Sequence, residues 1–203
     1  MIWNNFFKTL LGLTLAFSAC QTDKKETGPP MLTAITKDGK ALLSDGQSIA
    51  IPHYDDPEWM IFYLVRHCEK AQDGSSNPDL SEQGKARAER LGKIMDDAVL
   101  HRIGTSNLKR TLKTGHAVAQ TTASPPFDNF PPEAGLDWLS DVMQGGAGQK
   151  ILYVGHTNTL PNFLNTLIGQ VKYTDLPESE YGKFFVVATK GAGQSEVLEF
   201  NYK

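Results

Sequence analysis

Two apolar runs without polar alternation each lead into a histidine, and they constrain the fold of this chain more than any other feature. The first run, 59–65, is followed directly by Arg66 and His67, and the second, 151–154, ends two residues before His156. Strands of a parallel sheet are buried on both faces, so they read as continuous apolar runs. Helix-like segments follow both runs, and this alternation predicts an α/β fold.

The length and composition fit one folded domain. The chain has 203 residues, of which 40% are hydrophobic and 21% charged, as in soluble globular proteins. We predict a single three-layer domain over 31–203, with a mostly parallel central sheet flanked by helices. Between residues 31 and 52, the turn dipeptides 38–39 and 45–46 separate short β-prone pieces, which predicts a small N-terminal β appendage.

Capping residues and apolar spacing predict the remaining elements. Ser81 is the predicted N-cap of a helix whose apolar stripe runs to Val99, and Ser106 is the predicted N-cap of a second helix. Gly169 fits the C-terminal cap of a third. Further predicted elements are a strand at 101–105, a short helix at 133–143, a helix at 160–168 and a hairpin that joins 184–189 to 196–200.

The first twenty residues predict export from the cytoplasm. Their apolar run is much shorter than the roughly 20 residues that a membrane span needs, and small Ser18 and Ala19 precede Cys20. This pattern resembles a bacterial lipoprotein signal, which implies a signal peptide at 1–19, lipid on Cys20 and a flexible tether at 20–30. A plain secretory peptide or an uncleaved anchor is the alternative. The expected location is the bacterial cell envelope, periplasmic or on the outer surface, with the membrane reached through the lipid.

Charge and cysteine content exclude several classes of function. The formal charge of -3 leaves no basic excess for a nucleic-acid backbone. The only cysteines are Cys20 and Cys68, so we expect no disulfide framework. No histidine or cysteine pair has the spacing of a metal site, so we expect no metal.

The strand ends predict an anion site. In open α/β sheets, ligands bind outside the carboxyl ends of the strands, which is where His67 and His156 lie. Arg66 lies at the same edge, and Arg110 lies in the first turn of the second predicted helix. Helix N-termini at this edge add free backbone N–H groups. The pattern indicates a phosphate cradle with a nucleophile inside it, although Arg110 could instead lie on a solvated helix face.

Three segments at strand or helix ends then resemble the motifs of a known family. In order and spacing, 64–70, 106–111 and 154–159 are similar to the histidine phosphatase (phosphoglycerate mutase-like) superfamily. The resemblance covers 59–200. The Arg-His-x-Glu-Lys form of the first motif and the helix start at 80–84 are similar to the small, cap-less phosphatase branch.

The resemblance implies a reaction through a covalent intermediate. His67 would attack phosphorus and become a phosphohistidine, while Arg66, Arg110 and His156 hold the phosphoryl oxygens, and water would then release phosphate. Such an enzyme needs no metal and no cofactor. A neutral imidazole is a competent nucleophile near pH 7, and fixed donors stabilise charge that is spread over three oxygens.

We therefore expect an exported phosphatase that hydrolyses a small phosphomonoester or related phosphoryl compound. A non-catalytic phosphate- or glycan-binding surface lipoprotein and a phosphomutase are the alternatives. None of the three motifs identifies the general acid. Glu133 is our choice, with Asp137, Asp128 or water as the other candidates.

Three neighbours of the motif residues have competing interpretations. Glu69 could orient the site or form a surface ion pair with Lys70. Asn158 is expected to cap a helix rather than contact a ligand. Cys68 is expected to be a small buried residue rather than a reactive one.

Overall fold

The computed structural model describes residues 29–203. The predicted signal peptide, Cys20 and the first part of the tether lie outside the described residues. The strands are β1 (Leu32–Ile35), β2 (Lys40–Leu43), β3 (Ser48–Ala50), β4 (Met60–Arg66), β5 (Arg102–Ser106), β6 (Phe127–Phe130), β7 (Lys150–Gly155), β8 (Lys183–Gly191) and β9 (Gln194–Asn201). The helices are α1 (Glu82–Met95), α2 (Lys109–Ala119), α3 (Gly135–Gly145) and α4 (Thr159–Ile168), with a 3-10 turn at Pro132–Ala134.

The central sheet has six strands in the order β6-β5-β7-β4-β8-β9. The first four are mutually parallel, while β8 and β9 form an antiparallel hairpin that continues the sheet beside β4. The mostly parallel sheet and the terminal hairpin are therefore as predicted. Because β4 and β7 are adjacent and parallel, the residues that follow them emerge side by side.

Helices cover both faces of the sheet. All seven residues of β4 are buried, and alternate side chains point to opposite faces. Ile61 and Tyr63 belong to the core that contains residues of α1 and α2, whereas Phe62 and Leu64 belong to the core that contains residues of α3 and α4. The predicted three-layer architecture is confirmed. Within residues 29–203, no helix combines the length and apolar character that a membrane span requires.

The N-terminal appendage is a small antiparallel sheet of β1, β2 and β3. Gly39 and Gly46 have φ angles of +76° and +86°, which glycine adopts without steric cost, so the two predicted turns form where the glycines allow them. Leu32 and Ile35 pack into the same core as Leu91 of α1. The appendage thus extends the helical layer on one face of the central sheet.

On α1, the predicted N-cap is confirmed and the predicted C-terminal extent is wrong. Ser81 caps the helix as predicted, with its hydroxyl accepting a 3.1 Å hydrogen bond from the backbone N–H of Gly84. The prediction that Val99 continues the apolar stripe is wrong, because α1 ends at Met95 and Val99 is 37% exposed. Two aspartates follow Met95, and negative charge is unfavourable at the negative end of a helix dipole.

The prediction that Ser106 caps α2 is also wrong. Ser106 is the last residue of β5, and α2 starts at Lys109 after Leu108, without a side-chain cap. The Ser106 hydroxyl bonds instead to His156 and Thr111, at 2.9 and 2.7 Å. A tertiary contact has replaced the local one.

The Pro-rich segment after α2 contains a strand that the sequence did not predict. β6 pairs in parallel with β5 and forms one edge of the sheet. The short helix expected at 133–143 is present as the 3-10 turn and α3. Further along, Gly169 ends α4 with a φ of +68°, as its predicted capping role requires.

Candidate active site

A cavity of about 550 Å³ opens at the carboxyl ends of β4 and β7. Each of these two strands is followed immediately by a histidine. The sequence-predicted residues that line the cavity are Arg66, His67, Arg110, Glu133 and His156. Lys70 and Glu178 line it as well, and the exposed Leu136 adds an apolar wall.

His67 is held in one tautomer by its own loop. Its Nδ1 lies 2.7 Å from the backbone carbonyl oxygen of Cys68, and a carbonyl only accepts hydrogen bonds, so Nδ1 carries the hydrogen. The unprotonated nitrogen of neutral His67 is therefore Nε2. Burial lowers the pKa of His67 to about 3, and the positive charges of Arg110 and Arg66 act in the same direction. The geometry presents a neutral imidazole with a lone pair on Nε2 at pH 7.

His156 is the second imidazole of the cavity, with its ring centroid 5.3 Å from that of His67. Burial lowers its pKa to about 4, followed by the charges of Arg110 and Arg66. Its backbone N–H donates to the hydroxyl of Thr159 at 2.8 Å, which ties His156 to the first turn of α4.

Hydroxyl groups fix the side chain of His156. Thr111 Oγ1 lies 2.8 Å from the backbone carbonyls of Ser106 and Leu108, which use its single hydrogen. Thr111 therefore accepts from the Ser106 hydroxyl at 2.7 Å, and Ser106 in turn accepts from Nε2–H of His156 at 2.9 Å. This chain of hydroxyl groups orients the His156 ring from the buried side that faces away from the cavity.

Arg66 is 2% exposed and is clamped by the loop after α4. Its Nη1 donates to the backbone carbonyls of Pro177, Glu178 and Glu180 at 3.1, 3.0 and 2.9 Å. Its Nη2 donates to the carboxylate of Glu178 at 3.0 Å, and its guanidinium lies 4.0 Å from the ring centre of Tyr181. The Arg66 Nε has no partner within the described residues.

Arg110 lies in the first turn of α2, as predicted, and its guanidinium group contributes to the cavity wall. Burial lowers the pKa of Arg110, and the neighbouring charge of Arg66 lowers it further. Its buried Nε has no hydrogen-bond partner within residues 29–203. Two arginines at one cavity produce a positive field that an anion would relieve.

Of the three candidate general acids, only Glu133 lines the cavity. It is exposed, at the 3-10 turn before α3. Asp128 is engaged elsewhere, because it accepts from Trp138 Nε1 at 2.8 Å and pairs with Arg102 at 3.2 Å. Asp137 lies one turn further into α3 and is not part of the wall.

Glu69 has a third role that neither interpretation gave. Its carboxylate pairs with Arg87 of α1 at 2.7 Å, and Arg87 also donates to the backbone carbonyl of Tyr202. Glu69 thus connects the loop after His67 to α1 and, through Arg87, to Tyr202 after β9, rather than to Lys70.

The other two neighbours also have defined positions. Asn158 occupies the N-cap position of α4, as expected, but its side chain makes no capping hydrogen bond and the residue also lines the cavity. Cys68 is fully buried, and burial raises the pKa of its thiol to about 12. Cys68 is therefore a core residue, as expected.

The sequence did not identify Glu178 or Tyr181 as parts of the site, and it assigned Ser106 to a helix cap. The first two lie in an irregular segment after α4, where no periodicity marks them. The one available signal was the acidic character of the segment in a region expected to hold an anion. Among residues 29–203, no cluster of three or more His, Cys, Asp or Glu side chains could hold a metal ion.

Comparisons with known proteins support the fold. The family model of the histidine phosphatase superfamily (branch 1) matches residues 62–128, and no curated protein sequence matches the chain significantly. Three solved structures share the fold. The protein histidine phosphatase SixA complexed with tungstate is 15% identical, with a TM-score of 0.57, over 70% of this chain and 97% of SixA.

The second is a mycobacterial glucosyl-3-phosphoglycerate phosphatase, 10% identical with a TM-score of 0.55, over 71% of this chain and 100% of that chain. The third is a mutant phosphoserine phosphatase from Entamoeba histolytica in complex with phosphoserine, 13% identical with a TM-score of 0.53, over 70% of this chain and 96% of that chain. The family-model match over residues 62–128 and the shared fold support the histidine phosphatase fold that the sequence motifs predicted.

Proposed function

We propose that the protein is a phosphatase that hydrolyses a small phosphomonoester through a phosphohistidine on His67. The observation that carries this proposal is the hydrogen bond from Nδ1 of His67 to the Cys68 carbonyl, beside Arg66, Arg110 and His156. It leaves Nε2 unprotonated at a cavity lined by cationic donors.

The reaction has two displacements at phosphorus. In the first, the Nε2 lone pair of His67 forms a bond to phosphorus as the bond from phosphorus to the leaving oxygen breaks. Glu133 supplies a proton to that oxygen. In the second, water attacks phosphorus as the bond to Nε2 breaks, a proton of that water returns to Glu133, and phosphate leaves with neutral His67 restored.

The charged side chains stabilise the transferring group. Arg110 and Arg66 donate to equatorial oxygens, where negative charge is concentrated in the transition state. His156, whose Nε2–H is used by Ser106, joins them through Nδ1 only when it takes up a proton from the phosphoryl group. The bond of Arg66 Nη2 to Glu178 is one that a phosphoryl oxygen can replace. These donors supply the charge stabilisation without a metal, so chelators should leave the rate unchanged.

The test is phosphate release from nitrophenyl phosphate by the purified full chain. We expect turnover that chelators do not reduce and that His67→Ala abolishes while the folded CD spectrum remains. Binding of phosphate without release would instead indicate a non-catalytic binding protein. Phosphoryl transfer to an added alcohol, with a requirement for a bisphosphate, would indicate a mutase.

We further propose that the protein is exported and lipid-anchored at Cys20. Small Ser18 and Ala19 before Cys20 support this proposal. One acyl group gives only marginal membrane binding, so durable anchoring would require modification with several acyl groups. The full chain should fractionate with membranes, and Cys20→Ser should lose the lipid. Mature protein with an unmodified Cys20 would contradict the proposal.

A further inference from the structure

Glu178 occupies one of the Arg66 donors that a phosphoryl oxygen could use. Arg66 uses Nη1 for three backbone carbonyls, so Nη2 is the terminal nitrogen with capacity for an anion. The Glu178 carboxylate bonds to that nitrogen at 3.0 Å. A carboxylate and a phosphate use the same guanidinium donors, so the two compete for Arg66.

Hydrogen bonds to Arg66 hold the backbone around Glu178 in place when the Glu178 side chain is displaced. Its own carbonyl accepts from Arg66 Nη1 at 3.0 Å, and the carbonyls of Pro177 and Glu180 hold the residues on either side. The Glu178 side chain, in contrast, is 75% exposed. It is therefore free to rotate while it stays within one side-chain length of the bound phosphoryl group.

The displaced carboxylate would face the leaving group. The cations that line the cavity, Arg66, Arg110 and Lys70, lie with the two imidazoles, and the carboxylates that line it are Glu133 and Glu178. Glu133 makes no hydrogen bond or ion pair within the part of the chain that the structure describes. Once the phosphoryl group neutralises the arginines, a leaving group meets the negative charge of Glu178, because Glu133 carries the proton that it donates.

We infer that Glu178 selects substrates by charge, favouring phosphomonoesters whose leaving group carries an ammonium or similar cation over those with a second anionic group. This inference rests on the proposed function. A unit charge about 6 Å from Glu178 in a partly solvated cavity changes the interaction by on the order of tenfold in kcat/KM, in opposite directions for a cation and an anion.

The first experiment compares three esters of similar size with the full chain. They are 2-aminoethyl phosphate, propyl phosphate and 2-phosphoglycolate, whose leaving groups are cationic, neutral and anionic. We expect kcat/KM to fall in that order. Glu178→Gln should reduce the ratio between the cationic and anionic esters by about tenfold. The control is Asp175→Asn, which removes the same charge from the same loop outside the cavity wall and should leave the ratio unchanged.

The second experiment measures binding of inorganic phosphate by calorimetry, which needs no turnover. Removing the competing carboxylate in Glu178→Gln should tighten phosphate binding several-fold, whereas Asp175→Asn should not. If the wild-type protein hydrolyses no ester, the proposed function fails, and the three esters are then compared as ligands in the same assay. Equal affinities or rates for the three esters, or an unchanged ratio in Glu178→Gln, would overturn the inference.

Discussion

The hydrogen bond of 2.9 Å between Ser106 and His156 connects a hydroxyl chain to one of the two imidazoles at the cavity. Both hydroxyl residues of that chain, Ser106 and Thr111, are buried and do not line the cavity. Their effect on the reaction therefore passes through the orientation of His156. A buried donor that loses its acceptor carries a desolvation penalty of about 1–3 kcal/mol, which its surroundings relieve by moving.

Removing either hydroxyl should reduce activity as part of one unit. Ser106→Ala and Thr111→Val should each lower kcat/KM by about tenfold or more, since a penalty of this size corresponds to that factor. The double variant should be little worse than either single variant, because both changes break the same chain. Steady-state kinetics and urea unfolding check this. Losses that multiply in the double variant, or wild-type activity of Ser106→Ala, would contradict a positioning role.

The role of Glu133 should depend on the leaving group. A general acid matters for a poor leaving group such as an alkoxide and little for nitrophenolate. Glu133→Gln should lower kcat on alkyl phosphates by about 10²-fold, yet have far less effect on nitrophenyl phosphate. Equal losses on both substrates would indicate a binding or folding defect, and no loss on either would leave protonation to water.

The sequence located the residues at strand ends but not the residues that reach the site from a distance. His67, His156 and Arg66 follow apolar runs, and a strand end has one place in an α/β sheet. Glu178 and Tyr181 reach Arg66 across 112 and 115 positions of the chain. Their contact depends on the path of an irregular loop, and neither local propensity nor periodicity determines that path.

At the scale of elements, the start of α1 is packed against the loop that carries His67. Ser81 donates its backbone N–H to the carbonyl of Glu69 at 2.9 Å. A Cβ on Gly84 would lie 2.1 Å from the same carbonyl oxygen. The helix can approach the loop this closely only because residue 84 has no side chain.

Substitution of Gly84 should therefore disturb the site through the backbone. Gly84→Ala should destabilise the fold by about 1–3 kcal/mol, as overpacking does, and should reduce kcat/KM because Glu69 lies two residues after His67. Gly145→Ala in α3 is the matched control, since a Cβ there meets no atom within 4 Å. Thermal unfolding and kinetics of both variants check this. A neutral Gly84→Ala would show that the two segments are not in close contact.

The strand β6 shows why one element was not predicted. Its four residues, Phe127–Phe130, follow two prolines and precede two more, and this composition is typical of a loop. Pairing with β5 gives the segment its extended conformation, and that partner is distant from it in sequence. The buried central strands were predictable because their apolar residues alone determine their environment.

At the scale of the whole molecule, the two buried imidazoles link stability to pH. Their folded pKa values, about 3 for His67 and about 4 for His156, lie below the ordinary value of 6.5. Between pH 6.5 and about 4 the unfolded chain binds protons that the folded chain does not. Stability should therefore fall as the pH falls through this window.

Urea unfolding at pH 7 and pH 5 tests this link. Each neutral buried histidine should account for about 1–2 kcal/mol of the loss between the two values. His67→Gln should lose less stability than the wild-type protein over the same interval, because it lacks one of the two groups. Equal losses would mean that His67 takes up its proton in the folded state as readily as in the unfolded state.

The most direct test of the proposed reaction is to trap the intermediate on His67. The full chain is mixed with a phosphomonoester in excess and quenched under alkaline conditions, since phosphohistidine is labile to acid, and its peptides are analysed by mass spectrometry. We predict a phosphate adduct on the peptide that contains His67, attached at Nε2 because Nδ1 donates to the Cys68 carbonyl. His67→Ala should show no adduct and no turnover. An adduct on another residue, or unchanged turnover in His67→Ala, would contradict the account.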